Sequence, residues 1–412
     1  MPQGVLFVHT NFPAQFRDLA QALVARGVPC CAIAAQAAPG LPGVRIARYT
    51  LSRGTSPDIL PQAVRAEADL IRGLHAAEGA RVLQAEGFDP QVIVGHPGWG
   101  ETVLLDDVFP QARQVMFSEF FYHATGSEVD FDPEFPGSED AAGRAKVKAK
   151  NAVMCLALAE ADVIVAPTRF QADLLPVAFR DRARVLHEGV DVAAITPGPA
   201  EPFTLPDGRV IAPGTSVITY VNRQLEPLRG MHILARALPR LLAEVPDAQV
   251  LIFGEASKRA YGGSAPDERT WVDVSLQGVA LDPARVHFVG RAPHDQMLAA
   301  LRLSTAHVYY SYPFVLSWSL IEAMAAGCYV IGSDTAPVRD AIQDGVSGRL
   351  LPFFDVDALS AALIAACRDP QASGPLRAAA RETAVAQFSR DAGRAGWFAI
   401  LKEMGLQIPS AI

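Results

Sequence analysis

The sequence predicts an α/β protein made of two doubly wound, parallel-sheet domains, and three observations predict it. Short apolar runs recur as continuous blocks without polar alternation, as in strands covered on both faces by helices. Helical periodicity fills many of the stretches between them, so strands feed crossovers to their neighbours. At 412 residues, 50% apolar and 19% charged, the chain also exceeds what one hydrophobic core usually serves.

The first strand is expected at Val5–Val8, followed by a loop and a helix carrying Phe16, Leu19, Ala20, Leu23 and Val24 at helical spacing, closed by Arg26 and Gly27. Further strands are expected at Cys30–Ala35 and at residues 92–94, 115–117 and 163–165. Beyond Val185 the pattern dissolves into a stretch rich in proline and glycine, HEGVDVAAITPGPAEPFTLPDGRVIAPG, which marks a domain boundary. The second half repeats the rhythm, with strands at 217–221, 250–253, 286–289, 307–310 and 329–331 and helices at 294–302 and 319–326. Helical patterns at 358–366, 376–387 and 392–404 close the chain, with Phe388, Trp397 and Phe398 as aromatic anchors. The domains are set at 1–195 and 214–385, and the C-terminal helix in 386–412 is expected to pack back towards the first. In open α/β sheets, ligands sit outside the carboxyl ends of strands, so two such sheets facing across a cleft would carry their motifs on those loops.

The composition narrows the partners. A formal charge of −8 gives no overall attraction for nucleic acid or anionic lipid, so any anion site has to be local. Five cysteines, Cys30, Cys31, Cys155, Cys328 and Cys367, none in CxxC spacing, suggest neither a disulfide framework nor a metal cluster and fit a reducing cytoplasm. The start of the chain is expected to carry no signal peptide, and no apolar stretch approaches the roughly 20 residues of a membrane span. Peripheral contact with the inner face of the plasma membrane is the one membrane role left open. No GxGxxG after a strand, GxxxxGK[ST], HExxH or GxSxG occurs.

Three segments carry chemistry. SYPFVLSWSLIEAMAAG lies between two expected strands, places Glu322 in the first turn of a helix and leaves the N–H groups of Ser317 to Leu320, Ser319 among them, at a helix N-terminus suited to phosphate. Glu322 can accept hydrogen bonds from two vicinal hydroxyls, as on a ribose; it can equally close a capping box on Ser319. TYVNRQLEPLRG runs from a strand into a loop bearing Arg223 and Arg229, which either converge on one anion or stand as solvated surface arginines. Gly254 and Gly290, the latter followed by Arg291, each end a strand. HTNFPAQF, with Asn11, Ala14 and Gln15, follows the first strand and reads as a cleft loop or as a plain helix start. Glu119 leaves a buried strand, where an unpartnered carboxylate is costly, and His123 follows in FSEFFYHATG.

EAMAAG, followed by an apolar strand, SD, a turn at Asp344 and Gly345 and then GRLLP, resembles the donor-site signature of family-4 glycosyltransferases, which have the GT-B fold of two Rossmann-like domains. The resemblance implies a retaining, metal-independent transferase moving a hexose-like sugar from a nucleoside-diphosphate sugar, a co-substrate and not a cofactor, to a sugar or lipid-linked acceptor. It implies that Glu322 holds the ribose and that Arg223 and Arg229 clasp the diphosphate, Arg229 standing near a family lysine after a loop one residue longer. Gly254, Gly290 and Arg291 fall where the family brings backbone to the donor. Ala14 stands near a family glycine, and Glu119 aligns with a family histidine beside the reacting carbon. One departure concerns the sugar: the earlier member of the family's glutamate pair falls at Phe314, which accepts no hydroxyl hydrogen bond. Such families build bacterial surface polysaccharides, lipopolysaccharide included, which gives the expected role. The alternatives are a non-catalytic nucleotide-sugar-binding subunit and a sugar-nucleotide epimerase using Glu119 and His123. Asp130-Phe131-Asp132 matches the metal-binding DxD of another glycosyltransferase fold and reads here as an acidic loop, with no metal expected. RAKVKAKN sets Arg144 with Lys148, and Lys146 with Lys150, on a helix face that is either solvated or turned to anionic lipid.

Overall fold

A computed structural model of the chain describes residues 3–137 and 140–410; the ends of the first and last expected segments, 1–2 and 411–412, lie outside the described residues. The chain divides into two compact units, Met1–Gly189 with Arg390–Ile412, and Val190–Ser389.

Unit 1 is built on a sheet of β1 (Val5–Val8), β2 (Cys30–Ala35), β3 (Arg45–Tyr49), β4 (Val92–Gly95), β5 (Arg113–Phe117), β6 (Val163–Ala166) and β7 (Ala183–Val185), ordered β3-β2-β1-β4-β5-β6-β7. Every pairing is parallel. All residues of β1, β4 and β6 are buried, which is why they appear in sequence as unbroken apolar runs. Alternation along a strand divides them between two cores. Val5 and Phe7 face Phe16, Phe117, Trp397 and Leu401, while Leu6 and Val8 face Ala76, Ala80 and Leu83 of helix Val64–Ala85. The C-terminal helix Arg390–Glu403 completes the first core, with Trp397 edge-on to Phe16 at 6.2 Å.

Unit 2 opens with a short hairpin of β8 (Phe203–Thr204) and β9 (Val210–Ile211), then builds a second parallel sheet. Its strands are β10 (Val217–Gln224), β11 (Gln249–Glu255), β14 (Val286–Gly290), β15 (Ala306–Tyr309), β16 (Val330–Ser333) and β17 (Arg349–Leu351), ordered β14-β11-β10-β15-β16-β17. A second small hairpin, β12 (Arg259–Ala260) and β13 (Gly263–Ser264), follows β11. In each sheet the chain winds outward one way and then returns to wind the other way, so the order reverses between β1 and β4 and again between β10 and β15. Those are the topological switch points.

The chain crosses from unit 1 to unit 2 at Gly189, near the start of the proline- and glycine-rich stretch in which the composition shift sets the boundary. The reason is packing: Val190, Ile195, Phe203, Leu205 and Ile211 all enter the core of unit 2. Arg381 holds this entry segment, donating to the carbonyls of Val192 at 2.7 Å and Ile195 at 2.6 Å. Val190 bridges Ser389 and donates to the Phe388 carbonyl at 2.8 Å.

Candidate functional site

Two groups of polar side chains stand at the two switch points, one in each unit. In unit 2, β10 is buried as far as Asn222, and its next residue, Arg223, is exposed and makes no hydrogen bond or ion pair to any described residue. After the turn Pro227–Arg229, Gly230 takes φ 77°, and a Cβ there would stand 2.4 Å from Tyr310 Cβ, so only glycine lets the loop pass this close to the end of β15. The turn delivers Arg229 across the switch point. Its Nη1 donates to Ser311 Oγ at 2.9 Å, the Val315 carbonyl at 3.0 Å and the Tyr309 hydroxyl at 3.4 Å. Its guanidinium carbon lies 5.3 Å from the centre of the Phe314 ring. Held by one nitrogen, Arg229 keeps the Nε and Nη2 edge without a hydrogen bond among the described residues. A planar two-donor edge of this kind matches a phosphate or carboxylate.

The helix after β15 corrects two expectations. It spans Trp318–Ala325 with Ser317 as N-cap, so Glu322 lies beyond the first turn and forms no capping box with Ser319. The expected free amides are mostly occupied: Ser317 N–H donates to the Tyr309 hydroxyl at 2.8 Å, Ser319 N–H to Ser317 Oγ at 3.3 Å, and Leu320 N–H to the Ser317 carbonyl at 3.2 Å. The sequence could not show that a tyrosine hydroxyl from the neighbouring strand fills the entry. Glu322, its side chain 15% exposed, instead accepts from His294 Nε2 at 2.8 Å, His294 being the first residue of helix His294–Leu303.

Phe314 is buried with its ring 4.2 Å from that of Tyr261, so of this pair Tyr261, 44% exposed, is the ring presented to solvent. The hairpin carrying Tyr261 is pinned by Glu226, whose buried carboxyl accepts from Gly262 N–H at 3.0 Å and is pushed up by that burial. Gly254, the penultimate residue of β11, takes φ 142°, where a Cβ would come within 2.6 Å of the Asn222 carbonyl oxygen. Gly290 ends β14, and Arg291 after it pairs with Glu255 at 2.6 Å. That exposed pair contributes little to stability.

In unit 1 the parallel ladder runs past the strand ends into the site: His9 N–H donates to the Ile33 carbonyl and His96 N–H to the Val8 carbonyl. His9 Nδ1 accepts from Asn11 N–H at 2.9 Å and His96 Nδ1 from Gly98 N–H at 3.2 Å, which puts the proton of each neutral ring on Nε2. The two rings meet edge to face at 5.2 Å. Burial, then the neighbouring His96, lowers the His9 pKa to about 3, so His9 is neutral at physiological pH. Glu119, just beyond β5, receives the Gln15 amide at 3.0 Å and faces His96 Nε2 at 3.6 Å. Burial works to raise the Glu119 carboxyl, but the His96 imidazole, the Gln15 amide and His9 outweigh it and hold the group below the usual carboxylate range. Asn11 is exposed, and Ala14 stands at φ 40°, the left-handed region the family fills with glycine. His123 does not join this group; its Nε2 is hydrogen-bonded to the Leu174 carbonyl at 2.7 Å.

The remaining expectations resolve locally. Asp130 and Asp132 accept from the backbone N–H groups of Gly126 and Glu134, closing turns. Among the described residues no group of three or more His, Cys, Asp or Glu is placed to hold a metal ion, and no helix is long and apolar enough to cross a membrane. On helix Ala141–Glu160, Arg144, Lys146 and Lys148 are exposed. Lys150 turns inward over the Tyr122 ring at 3.3 Å, and its burial, opposed by Glu128, brings it down to about 8.

Comparison with known proteins follows the same division. Residues 26–195 match the family described as "Glycosyl transferase family 4 group", and residues 215–369 match "Glycosyl transferases group 1". The chain belongs to the family-4, group 1 glycosyl transferases. It is 33% identical over 187 residues to a phosphatidyl-myo-inositol mannosyltransferase of Mycolicibacterium smegmatis, covering 44% of this chain and 42% of that protein. It is 31% identical over 215 residues to a D-inositol 3-phosphate glycosyltransferase of Nocardia farcinica, covering 50% of this chain and 46% of the relative. The chain spans less than half the length of these curated relatives. Among solved structures, the sucrose-phosphate synthase of Thermosynechococcus elongatus superposes with TM-score 0.74 at 18% identity, covering 98% of this chain and 99% of the other. An Anabaena protein in complex with UDP and glucose superposes with TM-score 0.66 at 15% identity, covering 97% and 100%. This family-4 chain therefore has the GT-B fold.

Sequence reasoning about this family-4 chain missed His9, His96, His294, Glu226 and Tyr261. A signal existed for the first two, since each histidine directly follows a buried apolar run, at the strand end where ligands gather. None marked the others, whose partners are remote in sequence.

Proposed function

We propose that the chain transfers a hexose-like sugar from a nucleoside-diphosphate sugar to a sugar or lipid-linked acceptor. The observation that carries this reading is the arginine pair at the second switch point: Arg223 without a hydrogen-bond or ion-pair partner among the described residues, and Arg229 locked by Nη1 with no such partner on its other edge. Two such guanidinium groups suit a diphosphate and stabilise the charge that develops on it as it leaves, the largest catalytic term open to a site of this kind. Glu322, with His294 beside it, offers carboxylate oxygens to vicinal hydroxyls of the ribose. Gly254, Gly290, Arg291, Ser317, Ser319 and Leu320 flank these groups on the same strand ends and helix start. In the transfer, the bond from the anomeric carbon to the diphosphate oxygen breaks, the acceptor oxygen bonds that carbon from the same face, and the acceptor proton passes to the departing diphosphate. This course retains configuration and needs neither a dedicated base nor a metal. The names of the relatives, which specify phosphatidyl-myo-inositol and D-inositol 3-phosphate, favour a polyol or glycolipid acceptor; a role in building bacterial surface glycans is part of the same proposal. The exposed Arg144, Lys146 and Lys148 suit peripheral contact with an anionic inner membrane face.

A second reading, a nucleotide-sugar-binding subunit without turnover, rests on Phe314, whose buried ring stands where the family carries a glutamate. Thermal-shift measurement against UDP-, GDP-, ADP- and dTDP-sugars tests both. One donor class is expected to stabilise the protein, by about 2.7 kcal/mol at 100 times its dissociation constant. Release of nucleoside diphosphate with that donor supports transfer, binding without release supports the subunit, and a flat response across the panel removes both.

A further inference from the structure

At the first switch point the polar groups form a site in which, among the described residues, no arginine or lysine hydrogen-bonds Glu119. Glu119 is half-buried, with a side chain 35% exposed, and each carboxylate oxygen has one protein neighbour: the Gln15 amide at 3.0 Å and His96 Nε2 at 3.6 Å. His96 is itself buried, its Nε2 makes no hydrogen bond, and it points at Glu119 across a gap slightly too long for one. The site is drawn together but not closed. A carboxylate offers about four lone-pair positions, so Glu119 keeps roughly two for a ligand after its protein neighbours are counted. Among the described residues, no arginine or lysine pairs with or hydrogen-bonds His9, Gln15, His96 or the Glu119 carboxylate. A second carboxyl group, Glu101, is fully buried under the same strand end, where Thr10 and Tyr49 donate their hydroxyls to Oε1 and Oε2 has no hydrogen-bond partner. Glu119 thus presents a carboxylate that, among the described residues, no guanidinium or ammonium group hydrogen-bonds.

We propose that Glu119, held by Gln15 and braced by His96, binds hydroxyl groups of a neutral sugar or polyol and excludes a phosphorylated one. The chemistry follows from charge and from donor count. Hydroxyls donate to a carboxylate, and such charge-assisted bonds are stronger than neutral ones. A phosphate brought to the same oxygens meets like charge with no guanidinium or ammonium to offset it, and like-charge juxtaposition works against the wrong partner. Glu119 is held in its ionised form by its neighbours, which makes it a weak proton acceptor and a good hydrogen-bond acceptor; it orients a hydroxyl without deprotonating it. His96 acts through Glu119 and is a positioning residue. The inference rests on the transferase reading above and deepens it by naming the substrate class that unit 1 selects. The hydroxyls are those of the receiving sugar or polyol, since the donor's own sugar already carries a diphosphate.

The test compares paired probes with the full chain and its stabilising nucleotide sugar: methyl α-mannoside against mannose 6-phosphate, and myo-inositol against inositol 3-phosphate. Each is added at 10 mM, roughly the range in which weak sugar binding is seen, and release of nucleoside diphosphate is measured. The neutral member of a pair is expected to stimulate release at least tenfold more than its phosphorylated partner in the wild type. Glu119→Gln, which keeps the shape and loses the charge, is expected to cut that preference about tenfold, and Glu119→Asp to retain most of it. A rise confined to the KM of the receiving sugar supports the proposal, whereas a rise in the KM of the nucleotide sugar alone assigns Glu119 to the donor and overturns it. Stronger stimulation by the phosphorylated members, equal loss with both members in Glu119→Gln, or no stimulation by any neutral probe overturns it. Background hydrolysis of the nucleotide sugar by the wild type is read separately: its presence keeps the transferase reading even where the neutral preference fails, and its absence together with a flat thermal shift removes that reading first.

Discussion

The two switch points are built from the same topology and filled with opposite chemistry. At the end of β1 and β4 the side chains answer one another: imidazole meets imidazole, and Glu119 takes what Gln15 and His96 offer. At the end of β10 and β15 one arginine is locked by its neighbours and the other has none. Strand ends that present cations with unused donors suit an anion, whereas strand ends that present a carboxylate beside an amide and an imidazole suit hydroxyls. Fold supplies the position of a site, and the residues placed there supply its sign.

Arginine replacement tests that contrast most severely. Arg223→Ala is expected to cost about 2–4 kcal/mol of transition-state stabilisation, a fall of roughly 10²–10³ in turnover. Unchanged kcat/KM in this variant would leave the second switch point without its diphosphate role. A smaller effect separates the sites by acid sensitivity. His9 in unit 1 and His307 in unit 2 are both lowered to about 3 by burial. Each is neutral in the folded chain and takes up a proton on unfolding, so its contribution to stability is full above pH 6.5 and is lost as pH falls towards 3. Stability to urea is expected to drop with pH below 6.5 by about 1.4 kcal/mol per pH unit for each histidine. His9→Gln is expected to remove one proton's worth of that slope from unit 1, and a slope identical to wild type would show that His9 titrates normally. The smallest change concerns the loop that follows β1. Ala14 at φ 40° bears a conformation that costs an L-residue about 1 kcal/mol, so Ala14→Gly is expected to raise the melting temperature by a few degrees, where any fall would locate the strain elsewhere.

The sequence was most transparent where burial is two-sided. β1, β4 and β6 announce themselves because every residue is buried, so nothing interrupts the apolar run. β3 was missed for the opposite reason: it sends Arg45 and Arg48 outward between Ile46 and Ala47, and reads as a polar loop. Helix Val64–Ala85 was missed because its apolar residues do not share a face, with Leu70 and Leu74 exposed while Ile71 and Leu83 are buried. At the sites, Arg223 and Arg229 were singled out from one segment and Glu322 from another. What they touch was not, since Glu322 to His294 and Phe314 to Tyr261 are contacts between separate elements that no local pattern encodes. The substitution at Phe314 was visible in sequence, yet only the structure shows the ring covered, with Tyr261 rather than Phe314 as the surface offered outward.

The bridge between Val190 and Ser389 has a consequence for how such a chain is assembled as a gene product. Unit 2 enters and leaves through one spot, since Val190 donates to the Phe388 carbonyl at 2.8 Å and Arg381 fastens the incoming segment. Topologically it is a cassette inserted into unit 1, whose last helix waits until the cassette has been synthesised. A segment with adjoining ends can be excised whole, joined head to tail by a short linker and reopened at a surface loop, or set into one loop of another host. Unit 2 is thus portable as a single block, while unit 1, interrupted in its sequence, is not.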